Sequence, residues 1–260
     1  LPSTSKAVSL QSPIEPKPKG LSKFSPWMAI GALSPRHIYW KVKQYEKEVK
    51  KNASTWWMIF EIIWRDYFKY LTLRYGARIF YKGGIKNRET KWKTDDALFE
   101  RWKNGKTGIP FVDAHMRELN ITGFMSNRGR VNCASFLTRD YEIDWRWGAA
   151  WFEHKLLDYD VCSNWLNWSN QAMEIWYTNP VHQGYKYDKD GDYVKNWISE
   201  LSEISGPIIQ APWLLSPVTK KELNADKYQL PVEIYKKWSR SISRIQKSQN
   251  NGIQGQMDLD

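Results

Sequence analysis

Carboxylates, amides and tryptophans are concentrated in one short run of the chain, Asp158 to Trp168, which reads DYDVCSNWLNW. Asp158 and Asp160 could accept hydrogen bonds from the hydroxyls or ring N–H of a cofactor, and the alternative, which the pair alone favours, is helix-terminal carboxylates in a loop. If the large rings of Trp165 and Trp168 were exposed together, the fold would lose the stabilising free energy that their burial provides. The run is therefore predicted to lie inside the fold, where it combines polar groups for a cofactor ring with aromatic rings that could carry an electron.

Two other segments could hold an anion or a buried charge. Ser22, Lys23 and Ser25 precede Pro26 and a helical run, so hydroxyls and free backbone N–H groups lie at a helix N-terminus, where a phosphate is favoured. An ordinary helix cap would look the same. Glu61 and Arg65 are four residues apart in the most apolar helix, where buried charges need partners, and an intrahelical salt bridge is the alternative.

The composition narrows the class of protein. The chain carries 39 basic and 28 acidic residues, a net charge of +11, which favours a polyanion such as DNA or RNA or, equally, the acidic surface of another protein. No apolar stretch is long enough to span a membrane. The four histidines show no metal-ligand spacing and there are two cysteines, so neither a metal site nor a disulfide framework is predicted.

The hydrophobic pattern has helical periodicity almost throughout, which predicts an all-α fold. Predicted helices cover 39–49, 55–75, 97–103, a segment opening at Pro110, 127–139 and 147–157. Residues 1–20 are predicted to be an extended arm or linker, residues 21–216 the helical domain, and residues 217–260 a helical or flexible tail. The absent initiator and the Ser- and Lys-rich start suggest a fragment or a processed chain, with import into a chloroplast or mitochondrion as one hypothesis.

Five ordered segments resemble the FAD-binding domain of the cryptochrome and photolyase family, and of its members the DASH-type cryptochromes most. They are LSKFSPWMAIGALSPR (21–36), FEIIWRDYFKY (60–70), NGKTGIPFVDAHMRELNITGFMSNRGR (104–130), ASFLTRDYEIDWR (134–146) and DYDVCSNWLNW. The resemblance implies an all-helical domain that holds FAD in a central pocket.

The resemblance also implies roles for individual residues. Four residues would surround the FAD phosphates, with Arg65 beside them: Ser22, Lys23, Phe24 and Ser25. Four others would orient the flavin and its ribityl chain: Asn127, Arg130, Asp158 and Asp160. Asn164 would face the flavin N5, and an amide there can hydrogen-bond but cannot protonate it. Trp168, Trp145 and Trp102 would pass electrons from the surface to the flavin. Glu61 and Trp64 would face a DNA lesion.

Several departures from the family bear on function. Leu21 replaces a hydroxyl residue, and Leu166 replaces a glycine, adding bulk within the cofactor loop. The segment after Trp168, SNQAMEIWYTNPVHQG, is shorter than in the family and borders the pocket for a flipped-out base, which places lesion repair in doubt. The α/β antenna domain of the family cannot be formed by the first 20 residues. Either the chain is the helical half of a longer protein or the antenna domain has been lost.

Two functions remain open from the sequence. The first is a cryptochrome-like flavoprotein that binds FAD and undergoes blue-light photoreduction through its tryptophans, with DNA binding or photorepair as a further activity. The second is a degenerate domain of the same family that serves as a structural subunit of a larger organellar complex. Buried tryptophans fit both, because such rings contribute to packing whether or not electrons pass through them.

Overall fold

The computed structural model describes residues 22–257, and of residues 250–257 the backbone alone. The predicted N-terminal arm and Leu21 lie outside this range. The described residues form twelve α-helices, in chain order α1 (Ser25–Ala29), α2 (Pro35–Glu48), α3 (Ala53–Tyr75), α4 (Asp96–Lys103), α5 (Pro110–Thr122), α6 (Asn127–Ser135), α7 (Trp145–Lys155), α8 (Val161–Met173), α9 (Pro180–Tyr187), α10 (Asp192–Trp197), α11 (Pro217–Glu222) and α12 (Ser239–Met257). Over 22–257 there is no β-strand, only an isolated bridge between Lys93 and Ile143. The predicted all-α fold class is confirmed.

The chain forms two compact units that alternate along the sequence. The first contains residues 22–91 and 144–174, and the second contains residues 92–143 and 175–257. The sequence predicts a single domain over 21–216, and its candidate cofactor residues fall in both units. No helix within the described range is both long and apolar enough to cross a membrane.

The first unit is built around the packing of α8 against α3 and α7. Helix α3 begins at a capping box, in which the Asn52 side chain accepts from the Thr55 N–H and the Thr55 hydroxyl accepts from the Asn52 N–H. Phe68, Ile79 and Leu166 form the core between α3 and α8. Burial of these apolar side chains fixes α8, and with it the polar run predicted from the sequence.

The second unit is organised around α5, whose buried side chains face its neighbours on several sides. Helix α5 opens with Pro110 in its first turn and ends at Gly123 in the left-handed conformation. Asp113 is fully buried in its first turn, where it accepts hydrogen bonds from the Thr107 N–H and hydroxyl, the Gly108 N–H and the Tyr228 hydroxyl. This carboxylate holds the loop before α5 and the segment at Tyr228 together.

The C-terminal segment belongs to the second unit. Trp238 and Ile245 are completely buried, and α12 continues to Met257, past Arg244, after which the sequence predicts weak order. Of the α12 side chains that the structure describes, Ser241 and Ile245 are buried, and the weak order after Arg244 stays a prediction. The boundary predicted at residue 217 is therefore not a boundary between the two units.

Candidate functional site

One face of α8 presents the polar and aromatic groups of the run. Asp160 caps the helix by accepting from the Ser163 N–H at 2.9 Å. Asn164, one turn on, is buried and its Nδ2 donates to the Ala149 carbonyl at 3.0 Å, which leaves the amide oxygen as the acceptor for a ligand. Trp168, a further turn on, is 3% exposed and packs edge-on against Phe152 of α7 at 4.9 Å. The run is thus partly interior: Asn164, Leu166 and Trp168 are buried, whereas Val161 and Asn167 are exposed.

Gln171 extends this face by another turn, and the sequence did not single it out. Its side chain is buried, and neither its Oε1 nor its Nε2 has a hydrogen-bond partner in the described part of the chain. A buried amide without partners costs free energy of about 1–3 kcal/mol. Unsatisfied buried polar atoms in line with Asn164 and Trp168 fit a helix face that contacts a bound polar group.

The first helix offers groups that suit a phosphate. Lys23 has a positive φ of 52°, and α1 begins at Ser25 without a hydrogen bond from the side chain of its N-cap residue. Phe24 is the residue at the N-cap position. The Arg65 side chain of α3 is largely shielded from solvent. Its Nη1 lies 3.6 Å from Oδ1 of the neighbouring Asp66, which is a long distance for an ion pair. The intrahelical Glu61–Arg65 pair weighed from the sequence is not among the salt bridges of the described residues.

The remaining cofactor candidates lie apart from one another in the chain. Asn127 is the exposed first residue of α6, which is capped by the Ser126 side chain through the Gly129 N–H. Arg130 is half-buried and donates from Nε to the Met125 carbonyl at 2.9 Å. Both belong to the second unit, whereas Asp158, half-buried before α8, belongs to the first.

Each candidate tryptophan of the electron chain is inside the fold. Trp145 is 0% exposed and donates from Nε1 to the Lys82 carbonyl at 3.0 Å. Trp102 is also 0% exposed and donates to the Cys133 carbonyl at 3.0 Å. The role of Trp102 in the electron chain stays a prediction, and its ring does not reach solvent in the described structure. Its ring stacks on Phe99 and packs the interior of the second unit instead.

Trp92 is a further tryptophan, which no motif in the sequence singles out. It is half-buried, and its Nε1 has no hydrogen-bond partner in the described chain. The next residue, Lys93, donates its backbone N–H to the Glu142 carbonyl at 2.8 Å, which fixes the segment against the stretch before Trp145. A spacing rule could not distinguish Trp92 from Trp102, because only the fold shows which of the two rings reaches solvent.

A row of aromatic rings runs along α3 around the candidate lesion residues. Trp64 contacts Phe60, Tyr67 and Phe68 at ring-centroid distances of 6.0, 5.3 and 5.4 Å. The carboxyl group of Glu61 is partly desolvated by its surroundings, which raises its pKa, and a hydrogen bond with Trp57 opposes that rise. Trp64 also lines a cavity of about 160 Å³ between α3, the turn at residues 83–86 and the end of α8.

Leu166 does not occupy the ligand-facing side of α8. Two residues after Asn164, it points to the opposite side of the helix, is 2% exposed and packs on Phe68 and Ile79. The expected bulk within the cofactor loop is thus taken up by the core of the first unit. The shortened segment after Trp168 continues α8 as far as Met173.

Asp160 allows a stability test of the local geometry. We expect Asp160→Ala to lower the free energy of unfolding by about 1 kcal/mol, because the Ser163 N–H loses its cap. Asp160→Asn is the matched control, since asparagine caps a helix as well as aspartate does. Urea unfolding measures both. Equal losses for the two variants would contradict a capping role.

The chain is similar to known proteins over most of its length. A model of the FAD binding domain of DNA photolyase matches residues 57–254. Cryptochrome DASH of Xenopus laevis is 49% identical over 232 residues, which are 86% of this chain and 44% of that protein. The chloroplastic/mitochondrial cryptochrome DASH of Oryza sativa subsp. japonica is 53% identical over 190 residues, 71% of this chain and 33% of that protein.

A solved structure agrees with these matches. The crystal structure of Synechocystis sp. PCC6803 cryptochrome superposes with a TM-score of 0.81 at 47% identity, over 88% of this chain and 49% of that chain. The fold is that of a helical FAD-binding domain, and the chain belongs to the cryptochrome and photolyase family. FAD is the cofactor of this domain. The chain spans about half the length of the relatives it matches.

Proposed function

We propose that this cryptochrome-like flavoprotein uses blue light to draw electrons from its buried tryptophans into FAD. The observation that carries the proposal is the face of α8, where Asn164 and Trp168 lie one turn apart inside the first unit. FAD supplies the light absorption and accepts the electrons. The chain supplies the groups that bind and orient it and the rings that donate to it.

The proposed binding groups divide by charge. Ser22, Lys23, Phe24, Ser25 and Arg65 would hold the phosphates, because they provide hydroxyls, N–H groups and positive charge at an uncapped helix start. The flavin edge would meet neutral, basic and acidic side chains: Asn127, Arg130, Asp158, Asp160 and Asn164. The Asn164 oxygen can only accept a hydrogen bond, so it would favour a protonated ring nitrogen without supplying the proton.

The proposed electron path begins at Trp168 and continues through Trp145. These rings lie on α8 and α7, the two helices of the first unit that pack most closely. For the solvent end we propose Trp92 in place of Trp102, because Trp92 is partly exposed whereas Trp102 is sealed in the interior. Phenylalanine at position 145 would keep the packing but is far harder to oxidise.

Photoreduction tests the path directly. Under blue light with an external thiol, we expect Trp145→Phe to reduce its flavin about a hundredfold more slowly than the parent, equivalent to about 2.7 kcal/mol of barrier. Trp56→Phe, which alters an exposed tryptophan of α3, is the control and should match the parent. An unchanged rate in Trp145→Phe would remove the path.

Nucleic acid is the proposed partner, and the aromatic row on α3 favours it. Bases stack on exposed aromatic rings, and the net charge of +11 would attract the phosphate backbone. We expect binding of single-stranded DNA to weaken at least about tenfold between low and physiological salt. Trp64→Ala should weaken binding further, with Trp176→Ala as an exposed control. Salt-insensitive binding, or none, would favour the structural-subunit alternative.

Residence in a chloroplast or mitochondrion is a further proposal, supported by plant relatives such as the chloroplastic/mitochondrial cryptochrome DASH of Oryza sativa. Fractionation of cells that produce the protein tests it. Recovery in the cytosol alone would contradict it.

A further inference from the structure

Trp165 connects the buried Trp145 to the surface of the first unit. The two rings meet edge-on with centroids 5.8 Å apart and planes inclined by 76°. Trp145 is completely buried, whereas Trp165 is half-buried and its other ring neighbour is Phe80 at 4.8 Å. Rings in van der Waals contact exchange electrons readily, so Trp165 gives Trp145 a neighbour that reaches solvent.

The hydrogen bonds of the two indoles differ in a way that matters for charge. Trp145 donates its N–H to the backbone carbonyl of Lys82, which cannot take up a proton at ordinary pH. Trp165 donates its N–H to the carboxylate of Glu153 at 2.9 Å, and Glu153 is exposed. An oxidised indole is strongly acidic. Only the Trp165 ring therefore has a base in place to receive its proton.

The surroundings of Glu153 suit that role. Tyr159 is its titratable neighbour, and partial burial together with the adjacent carboxylate raises the pKa of Tyr159 to about 12. The phenol therefore stays protonated and does not compete as a base. All of these groups belong to the first unit, so the contact depends on no residue of the second.

We propose that Trp165 is a second electron donor that branches from Trp145, with Glu153 as its proton acceptor. This inference rests on the proposed photoreduction, in which Trp168 would give an electron to the bound flavin and oxidised Trp168 would then take one from Trp145. One electron passes from Trp165 to oxidised Trp145, which returns to its neutral form. The Nε1 proton of oxidised Trp165 passes to the Glu153 carboxylate. A neutral indole radical remains at the surface, and an external thiol restores it with one electron and one proton.

Photoreduction of variants separates this branch from the path through Trp92. We expect Trp92→Phe to retain most of the parent rate, and the double variant with Trp165→Phe to be at least about tenfold slower than Trp92→Phe, equivalent to about 1.4 kcal/mol of barrier. Trp92→Phe combined with Trp56→Phe is the matched control for a second tryptophan loss. A double variant as fast as Trp92→Phe alone would overturn the branch. It would leave the proposed photoreduction intact.

A second measurement does not use the flavin. In protein freed of FAD, a ruthenium polypyridyl photo-oxidant with persulfate oxidises tryptophan side chains, and mass spectrometry locates the oxidised residues. We expect oxidation at Trp165 to fall at least about threefold in Glu153→Gln, which keeps a hydrogen-bonding amide but accepts no proton, a change of about 0.7 kcal/mol. Oxidation at the exposed Trp56 should not change. Equal oxidation of Trp165 in parent and variant would overturn the role of Glu153.

Discussion

Replacing Trp238 by alanine is expected to lower the free energy of unfolding by about 4 kcal/mol, which is typical of the loss of a fully buried tryptophan. The ring is completely enclosed in the second unit, packs on Phe136 and Tyr235, and donates its N–H to the Tyr177 hydroxyl at 2.7 Å. Tyr177 in turn donates to Asp140 at 2.9 Å. Loss of the ring leaves a cavity and removes the indole N–H that donates to Tyr177.

Two variants isolate the cause of that loss. Trp238→Phe keeps an aromatic ring and should cost less than alanine, with about 1 kcal/mol attributable to the missing N–H donor. Trp176→Ala removes a ring that is 91% exposed and should change stability by no more than about 0.5 kcal/mol. Urea unfolding measures all three. A cost near zero for Trp238→Ala would mean that the C-terminal segment is the separate tail predicted from the sequence.

The second large effect concerns His115. This residue is fully buried, its Nδ1 donates to the Phe111 carbonyl at 2.6 Å, and its Nε2 has no partner in the described part of the chain. Burial lowers its pKa from 6.5 to about 4. The rings of Phe111 and Tyr193 flank it, and the nearby Gly129 leaves room for it, since a Cβ there would lie 2.1 Å from the imidazole.

The depressed pKa makes stability depend on pH. Between pH 6.5 and about 4 the unfolded chain binds a proton at His115 that the folded chain does not, so acidification destabilises the fold. The expected total is about 3 kcal/mol, because each tenfold change in the acid dissociation constant is equivalent to about 1.36 kcal/mol. His115→Asn should lower stability at pH 7 and lack this loss. The stability difference between parent and variant should therefore shrink as the pH falls.

Other groups titrate over the same range, and the comparison with the variant cancels them. Desolvation raises the pKa of Asp140 to about 6, which works in the opposite direction because the folded state then binds the extra proton. His154→Asn, at an exposed position of α7, is the matched substitution. A difference between parent and His115→Asn that stays constant from pH 7 to pH 4 would contradict a neutral buried histidine.

The sequence predicts the fold class and the character of the α8 run well, because both follow from local patterns. Helical periodicity identifies α2 to α7, six of the twelve α-helices in the described range, and the density of rings around Asn164 indicates burial. Asp160 is recognisable as a polar residue before a helix, which is where the structure places it as a cap.

The errors arise where a prediction depended on which way a side chain points. Leu166 is two residues from Asn164. In a helix, residues two apart point to opposite sides, so Leu166 lies in the core, which the motif alone does not indicate. Trp102 is enclosed by packing around Cys133 whereas Trp92 is half-buried, a difference that the sequence does not express. Gln171 escaped notice because an unpaired amide is visible only when its surroundings are known.

The C-terminal segment is a case in which composition alone does not determine whether a helix forms. Serines, glutamines and asparagines dominate the sequence after Arg244, and the low average hydrophobicity predicts weak order. Tertiary contacts decide the outcome, because Trp238 and Ile245 place apolar groups at the interior of the second unit and the helix follows from there.

Bound flavin in the purified protein tests the central claim most directly. Protein purified in the dark should be yellow, and heat denaturation should release FAD in equimolar amount to the chain. Asp160→Asn, which keeps the α8 cap, should release less if that carboxylate contacts the cofactor. A colourless protein that is fully helical by circular dichroism and takes up no added FAD would contradict the account.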